Sequence, residues 1–431
     1  AKVLSEAIDV AYGYASSISA ILKELEEGDV DETGALDEDA DYTHPIVRLV
    51  NALVFDAVKM GVSDLHFEPE ENFVRLRYRL DGTLFTAQIL HKQHWNGISQ
   101  RMKIMSGMNI ADKLSPQDGR FGLNIGGREA DFRVSSLPTV HGENIVLRVL
   151  DQSESIMPME KLGFSEHNLG LIKKSQSKPE GIIIVTGPTG SGKTTAIYAA
   201  LAHLVKTHGS AISLSTVEDP VEYNLPMISQ AQIHHAKDFT YPVALRSLMR
   251  QDPQVIMVGE IRDAETANIA VQAGLTGHLV ISTIHSGSTA GVFARMINMS
   301  IEPFLLASSV IGVLGLRLIR TVCPYCAQPY QPEVSLMKLV PEPLRDEASF
   351  RHGGGCEHCV MTGYSGRTSV TEMLEVNEKV REAIMDKLPT RKLQNIAIEQ
   401  GMNTLWKAGM QRVIKGETPL EEIIRSIPTD H

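Results

Sequence analysis

The chain has 431 residues, more than one hydrophobic core ordinarily supports, so two or three domains are expected. Hydrophobic residues make up 43% and charged residues 22%, and no apolar run reaches the roughly 18 residues of a membrane-spanning helix, which points to a soluble globular protein. A net charge of -11 opposes general adhesion to nucleic acid or anionic lipid, although a local basic groove is compatible with that average.

The chain opens on Ala1 without the basic, apolar and small-residue series of a signal peptide, so export is not expected. Ile8, Ala11, Ala15, Ile18, Leu22 and Leu25 step by threes and fours, which places them on one stripe of an amphipathic helix. The segment 24–41 is dense in acidic residues and broken by Gly28 and Gly34, a self-repelling composition that reads as a linker. Residues 1–41 are therefore helix plus linker.

Residues 42–150 read as an α+β domain. A helix is expected over 46–59, then an alternating strand over 73–78 closed by the hairpin signal Asp81-Gly82, then strands over 121–125, 129–134 and 144–149. A connector over 151–161, containing Pro158, leads to a second domain over 162–431. There the runs 182–185, 211–214, 255–258 and 279–282 are apolar throughout and alternate with helical segments. Such runs fit strands buried on both faces of a largely parallel sheet in an α/β fold. Residues 321–365 form a cysteine-bearing loop region, and 376–431 turn helical.

The apolar strand that starts at Gly181 runs directly into Gly187, Pro188, Thr189, Gly190, Ser191, Gly192, Lys193, Thr194 and Thr195, with a helical pattern following. Strand, glycine loop and helix in that order make a phosphate loop, in which backbone N–H groups and a helix N-terminus converge on one anion. Lys193 is expected to reach the β- and γ-phosphates of ATP and Thr194 to hold Mg²⁺. Hydrolysis also needs a carboxylate that orients and deprotonates water, and the apolar run 256–258 ends in Gly259 and Glu260, the candidate general base. Glu218 with Asp219, and His285, stand at the ends of two further strand patterns, where ligands of open α/β sheets bind.

All four cysteines fall in two Cys-x-x-Cys pairs, Cys323/Cys326 and Cys356/Cys359. Two such knuckles can close a tetrahedral site, with zinc ahead of iron or a redox dithiol. Four protein ligands leave no open position, so the metal would be structural.

Taken together, the loop 187–195, 216–222 (TVEDPVE), 245–267 (LRSLMRQDPQVIMVGEIRDAETA) and 276–285 (TGHLVISTIH) resemble the secretion ATPases of type II secretion and type IV pilus assembly. There they correspond to the Walker A, Asp-box, Walker B and His-box segments. The first domain resembles that family through 63–66 (SDLH), 77–82 (RYRLDG), 116–120 (PQDGR) and 131–135 (DFRVS), and the likeness runs from about Pro45 to the C-terminus.

This resemblance implies a RecA-like P-loop core preceded by a PAS-like domain and followed by a Cys₄ zinc subdomain and C-terminal helices. It implies Glu260 as the catalytic glutamate, Glu218 near metal and water, and His285 at the γ-phosphate, with Arg120 and Arg133 brought to the nucleotide from the first domain. The tetrad matches assembly-type rather than retraction-type members. The implied assembly is a cytoplasmic homohexamer, peripheral to the inner membrane through a platform protein and associated cytoplasmic components, with no nucleic acid. A DNA-translocating, conjugation-type ATPase is the alternative, disfavoured by the acidic charge and the lack of a basic stripe with interleaved aromatics. The sequence departs from the family pattern at Gln254, where Asp is usual, at 286–291 (SGSTAG), and at its front, where many relatives carry a further domain.

Overall fold

The computed structural model describes residues 14–27, 44–125, 128–151, 156–340, 342–345 and 348–428. It divides at Ile156 into two compact units. Of the leading amphipathic segment, the helix Tyr14–Glu27 is described, and it seats Ile18, Ile21 and Leu25 in the core of the first unit. The remainder of that expected helix, most of the expected linker and residues 152–155 of the connector lie outside the described residues.

In the first unit the helix Pro45–Lys59 starts where it does because Pro45 occupies the first turn, where a missing N–H is harmless, and His44 Nδ1 accepts from the Ile46 N–H. Six strands follow: β1 (Asp64–Pro69), β2 (Phe73–Leu80), β3 (Thr83–His91), β4 (Gln117–Ile125), β5 (Arg128–Thr139) and β6 (Gly142–Asp151). They pair antiparallel in the order β3-β2-β1-β6-β5-β4. Asp81 and Gly82 both take positive φ, the conformation that a two-residue hairpin turn needs.

The two-residue period sends Leu65, Phe67, Val74, Leu76, Phe132, Val134, Ile145 and Leu147 into a core shared with Pro45–Lys59 and the helix Trp95–Met105. The opposite face is charged. Cross-strand register lines up Arg79, Asp64, Arg148, Arg133 and Arg120 in one row from β2 to β4. Asp64 bridges Arg79 Nε at 3.2 Å and Arg148 Nε at 3.0 Å, leaving the row strongly cationic.

The second unit contains β7 (Gly181–Thr186), β8 (Leu214–Glu218), β9 (Ser229–Gln232), β10 (Val255–Val258), β11 (Leu279–Ile284), β12 (Val310–Val322), β13 (Ala327–Pro329), β14 (Arg351–Gly353) and β15 (Tyr364–Glu375). Seven of them form one sheet, ordered β15-β12-β7-β11-β10-β8-β9 and parallel except for β15 on β12. Strands β13 and β14 make a separate antiparallel ribbon. Alternate residues serve opposite layers. Ile182 and Ile184 enter the core with helices Ala264–Leu275 and Thr289–Asn298, whereas Ile183 and Val185 enter the core with helix Lys193–His208.

Strand β8 starts at Leu214, not at 211 as its apolar pattern suggested. Gly209 ends the preceding helix at positive φ, and a single 3₁₀ turn over Gly209–Ala211 carries the chain to the sheet. The second unit also begins earlier than Leu162, because Met159 is buried in its core. Beyond β15 come helices Glu378–Met385, Thr390–Glu399, Leu405–Ile414 and Leu420–Ser426; the last two pack with Ile319, Val340 and Val370 in a smaller core.

Candidate active site and metal centre

Because β7, β8, β10 and β11 run parallel, their carboxyl ends share one edge, and each ends in a sequence-predicted residue. The loop after β7 reaches helix Lys193–His208 through Gly192 at φ 90°. A β-carbon at Gly187 would lie 2.6 Å from both the Leu316 carbonyl oxygen and Ser191 Oγ, so no larger residue fits. Lys193 Nζ donates to the carbonyls of Gly187 (3.0 Å) and Pro188 (2.9 Å). Burial pushes the Lys193 pKa down, a penalty that a phosphate would relieve. Ser191 Oγ is buried without a hydrogen-bond partner among the described residues, and Thr194 is exposed on the first turn of the helix. A loop with a spare hydroxyl, a folded-back cation and an exposed threonine fits ATP with Mg²⁺.

Glu260 follows β10 and is mostly buried, ion-paired to Arg262, with His285 Nε2 3.8 Å from its second oxygen. Its backbone is pinned from both sides. Gly259 N donates to the Val217 carbonyl (2.8 Å), Thr283 Oγ1 donates to the Gly259 carbonyl (2.9 Å), and Ile261 N donates to the Thr283 carbonyl (2.9 Å). Burial and the Lys193 ammonium lower the His285 pKa, so the imidazole is neutral at pH 7. Thr186 Oγ1 joins the two loops, donating to the Ile284 carbonyl (2.7 Å) and accepting from Ser286 N (3.1 Å).

Glu218, the last residue of β8, is buried, and its oxygens accept from Tyr198 Oη, Thr216 Oγ1 (2.5 Å) and Gln230 Nε2 (3.0 Å). Its charge is thus held at the edge by fixed donors. Neighbouring Asp219 faces His235 Nε2 at 3.1 Å. Arg120 and Arg133 belong to the first unit, as direct partners on β4 and β5. The departures from the family pattern sit in structural roles. Gln254 accepts from Ser213 N at the amino-terminal edge of the sheet, and Ser288 caps helix Thr289–Asn298 by accepting from Gly291 N (3.1 Å).

The four cysteines form no disulfide with one another, and their sulfurs all lie within 4.8 Å of one another. Cys323 and Cys356 stand 3.8 Å apart, Cys326 and Cys359 3.8 Å, and Cys356 and Cys359 3.6 Å. A tetrahedron with Zn–S bonds of about 2.3 Å has edges of about 3.8 Å, so the set fits zinc. Burial pushes the Cys359 thiol up, but the N–H groups of Cys356 (3.2 Å) and Gly363 (3.3 Å) more than offset it and hold the pKa down to about 6.

Sequence reasoning missed Tyr198, which anchors Glu218, Arg262 on the candidate base, and Tyr241 beside Gly259. It also missed Arg317, whose Nη2 donates to the Gly287 carbonyl (2.9 Å) in the loop after His285. An arginine interrupting the apolar run of β12 was the one signal available for the last of these.

A phosphate loop, a strand-end glutamate and a histidine on one edge of a parallel sheet are the parts of a P-loop ATPase. The chain belongs to the type II/IV secretion system protein family, which it matches over residues 39–425. It is 44% identical over 388 residues to type II secretion system protein E of Aeromonas hydrophila, covering 90% of this chain and 76% of that one. To the type IV pilus assembly ATPase PilB of Myxococcus xanthus it is 40% identical over 409 residues, covering 94% and 71%. In fold it is similar to the ATPase DotB of Legionella pneumophila, with a TM-score of 0.66, 19% identity, and coverage of 87% of this chain and 95% of that one. Among the described residues no helix is long and apolar enough to cross a membrane.

Proposed function

We propose that the protein is a cytoplasmic, ring-forming ATPase, a homohexamer, that drives assembly of pilin or pseudopilin subunits through an inner-membrane platform protein and associated cytoplasmic components. The observation that carries this reading is the convergence of Lys193, Glu218, Glu260 and His285 on one sheet edge in a member of the secretion family.

Lys193 turns from its own loop carbonyls to the β- and γ-phosphates, and Thr194 holds Mg²⁺. Mg²⁺ held there would supply positive charge against the charge that develops on the phosphate. Glu260 takes the proton of the attacking water as the bond from the γ-phosphorus to the ADP oxygen breaks. His285, neutral, donates to the γ-phosphate. Glu218 contributes a fixed charge that orders water and metal. Arg120 and Arg133, in a row that holds more guanidinium groups than carboxylates, supply the cations that stabilise charge on the transferred phosphoryl group. Loss of the γ-phosphate releases these cations, which converts hydrolysis into movement of one unit against another. The four cysteines hold one structural Zn²⁺.

Glu260→Gln should bind ATP with parental affinity and lose turnover by a factor on the order of 10² to 10⁴. Lys193→Ala should weaken binding itself. A glutamine variant that hydrolyses ATP near the parental rate would show that Glu260 is not the base. Arg133→Ala should lower kcat by roughly tenfold or more with little change in nucleotide affinity. Parental activity of that variant in a strictly monomeric preparation would overturn the ring. Stimulation by the platform's cytoplasmic domain, and none by single-stranded DNA, separates this reading from DNA translocation.

A further inference from the structure

Tyr241 is the first residue of helix Tyr241–Leu248. Its ring packs between two buried clusters, one built around Val217, Ile233 and Ala244 and the other containing Ile256 and Val258. The ring is therefore fixed by the cores on which β8 and β10 rest. Its hydroxyl emerges at the catalytic edge, 2.8 Å from the point where a β-carbon of Gly259 would stand. Any side chain at 259 would displace it, which gives the glycine before Glu260 a local reason.

The charges that face this hydroxyl are those of Glu260, Asp219, Arg262 and Glu218. Burial, with Glu260 and Asp219 next, pushes the phenol pKa far up, so it is a neutral O–H donor at any physiological pH. Glu218 already accepts from Tyr198, Thr216 and Gln230. Asp219 is turned to His235. Glu260 is held by Arg262 alone at hydrogen-bond distance, with His285 farther off. The Tyr241 hydroxyl makes no hydrogen bond among the described residues, which leaves a donor on a rigid ring against Gly259, the residue before Glu260, whose carboxylate has acceptor capacity to spare.

We propose that Tyr241 is a positioning residue for hydrolysis, its hydroxyl donating to the Glu260 carboxylate and holding it toward the attacking water. The inference rests on the reading of Glu260 as general base. Arg262 is then free to leave the carboxylate for phosphate without letting it swing.

Tyr241→Phe keeps the ring and its packing and removes one oxygen. In the assembled protein it should lower kcat about tenfold, leaving KM and the affinity for a non-hydrolysable ATP analogue within about twofold of the parent. Affinity for ADP with tetrafluoroaluminate, which requires the ordered water position, should fall with kcat. A merely structural role would move both analogues together, and that result, or a kcat within about twofold of the parent, overturns the proposal. Glu260→Gln run alongside separates the two readings. If it hydrolyses ATP as the parent does, the assignment of the base fails; if it is inactive and Tyr241→Phe is fully active, only the role of Tyr241 fails.

Discussion

Around Cys323, Cys326, Cys356 and Cys359 the sulfurs already stand at the spacing a metal needs, and backbone N–H groups point at Cys359. At the nucleotide edge of the same unit Ser191 Oγ has no hydrogen-bond partner among the described residues, Lys193 donates to carbonyls of its own loop, and Glu260 is paired with an exposed arginine. The closed region extends past the four cysteines. Glu422, fully buried, accepts from Arg320 N (3.0 Å) and Nε (3.0 Å) and from Arg425 Nε (2.9 Å), while the Arg320 guanidinium lies 3.9 Å over the Tyr364 ring. A site that exchanges ligands each cycle must keep its groups under-committed, because strong apo contacts would have to be broken on every binding event. A site that only holds its neighbours together gains from full commitment.

The largest effect that tests this contrast is removal of zinc. Structural zinc sites contribute roughly 10–16 kcal/mol of apparent binding energy to folding. Stripping the metal should expose all four thiols to alkylation and open 321–365 to proteolysis, while nucleotide affinity stays within about twofold of the holo protein. Metal analysis of protein purified without chelator should find one zinc per chain. If nucleotide affinity fell in step with metal content, the two sites would be one system and the contrast would fail.

Next in size is the buried glutamate. Burial alone would raise the Glu422 pKa, but hydrogen bonds from Arg425 and Arg320 prevail and hold it down to about 2, from an ordinary 4.5. A folded pKa below the unfolded one gives stability that is fully present above about 4.5 and is lost as pH falls toward 2, here about 3 kcal/mol. The thermal midpoint of Glu422→Gln should therefore lie well below the parent's at pH 7, and the gap should narrow as pH is lowered through 4. A gap of constant width would show that the carboxylate's charge is not what stabilises the region.

The parallel core was legible because β7, β10 and β11 are buried on both faces and so read as unbroken apolar runs. Lys193, Glu260 and the cysteine pairs were legible because their spacing is local. Residues whose role depends on pairing across the sheet were not. Tyr198 and Tyr241 read as ordinary aromatics of helical segments until the sheet sets one against Glu218 and the other against Gly259. The burial of Glu218 has no sequence signal either, since its three donors come from the phosphate-loop helix, β8 and β9. The antiparallel pairing of β15 on β12 joins strands that the cysteine insertion separates in the chain, so nothing local in either one announces it, although β12 carries an apolar run of its own.

The smallest expected effect sits on the open side and sharpens the contrast most. His285 is about half exposed, 3.8 Å from Glu260, and kept neutral by burial and by Lys193. At that distance it adds little to the apo fold, and an exposed contact of this kind is worth about 1 kcal/mol or less to stability. On the proposed reading its hydrogen bond would form when a γ-phosphate arrives and strengthen as charge builds on that group, so its contribution would belong to the transition state. His285→Ala should lower kcat by roughly tenfold, with KM changed much less and the thermal midpoint of the nucleotide-free protein unmoved. Glu422→Gln should do the reverse, lowering the midpoint while the folded fraction hydrolyses ATP at the parental rate. Measured together on one preparation, the pair separates a group poised for a ligand from a group committed to the fold. A His285→Ala protein that is destabilised as much as Glu422→Gln would place the histidine among the structural contacts and remove it from the phosphate.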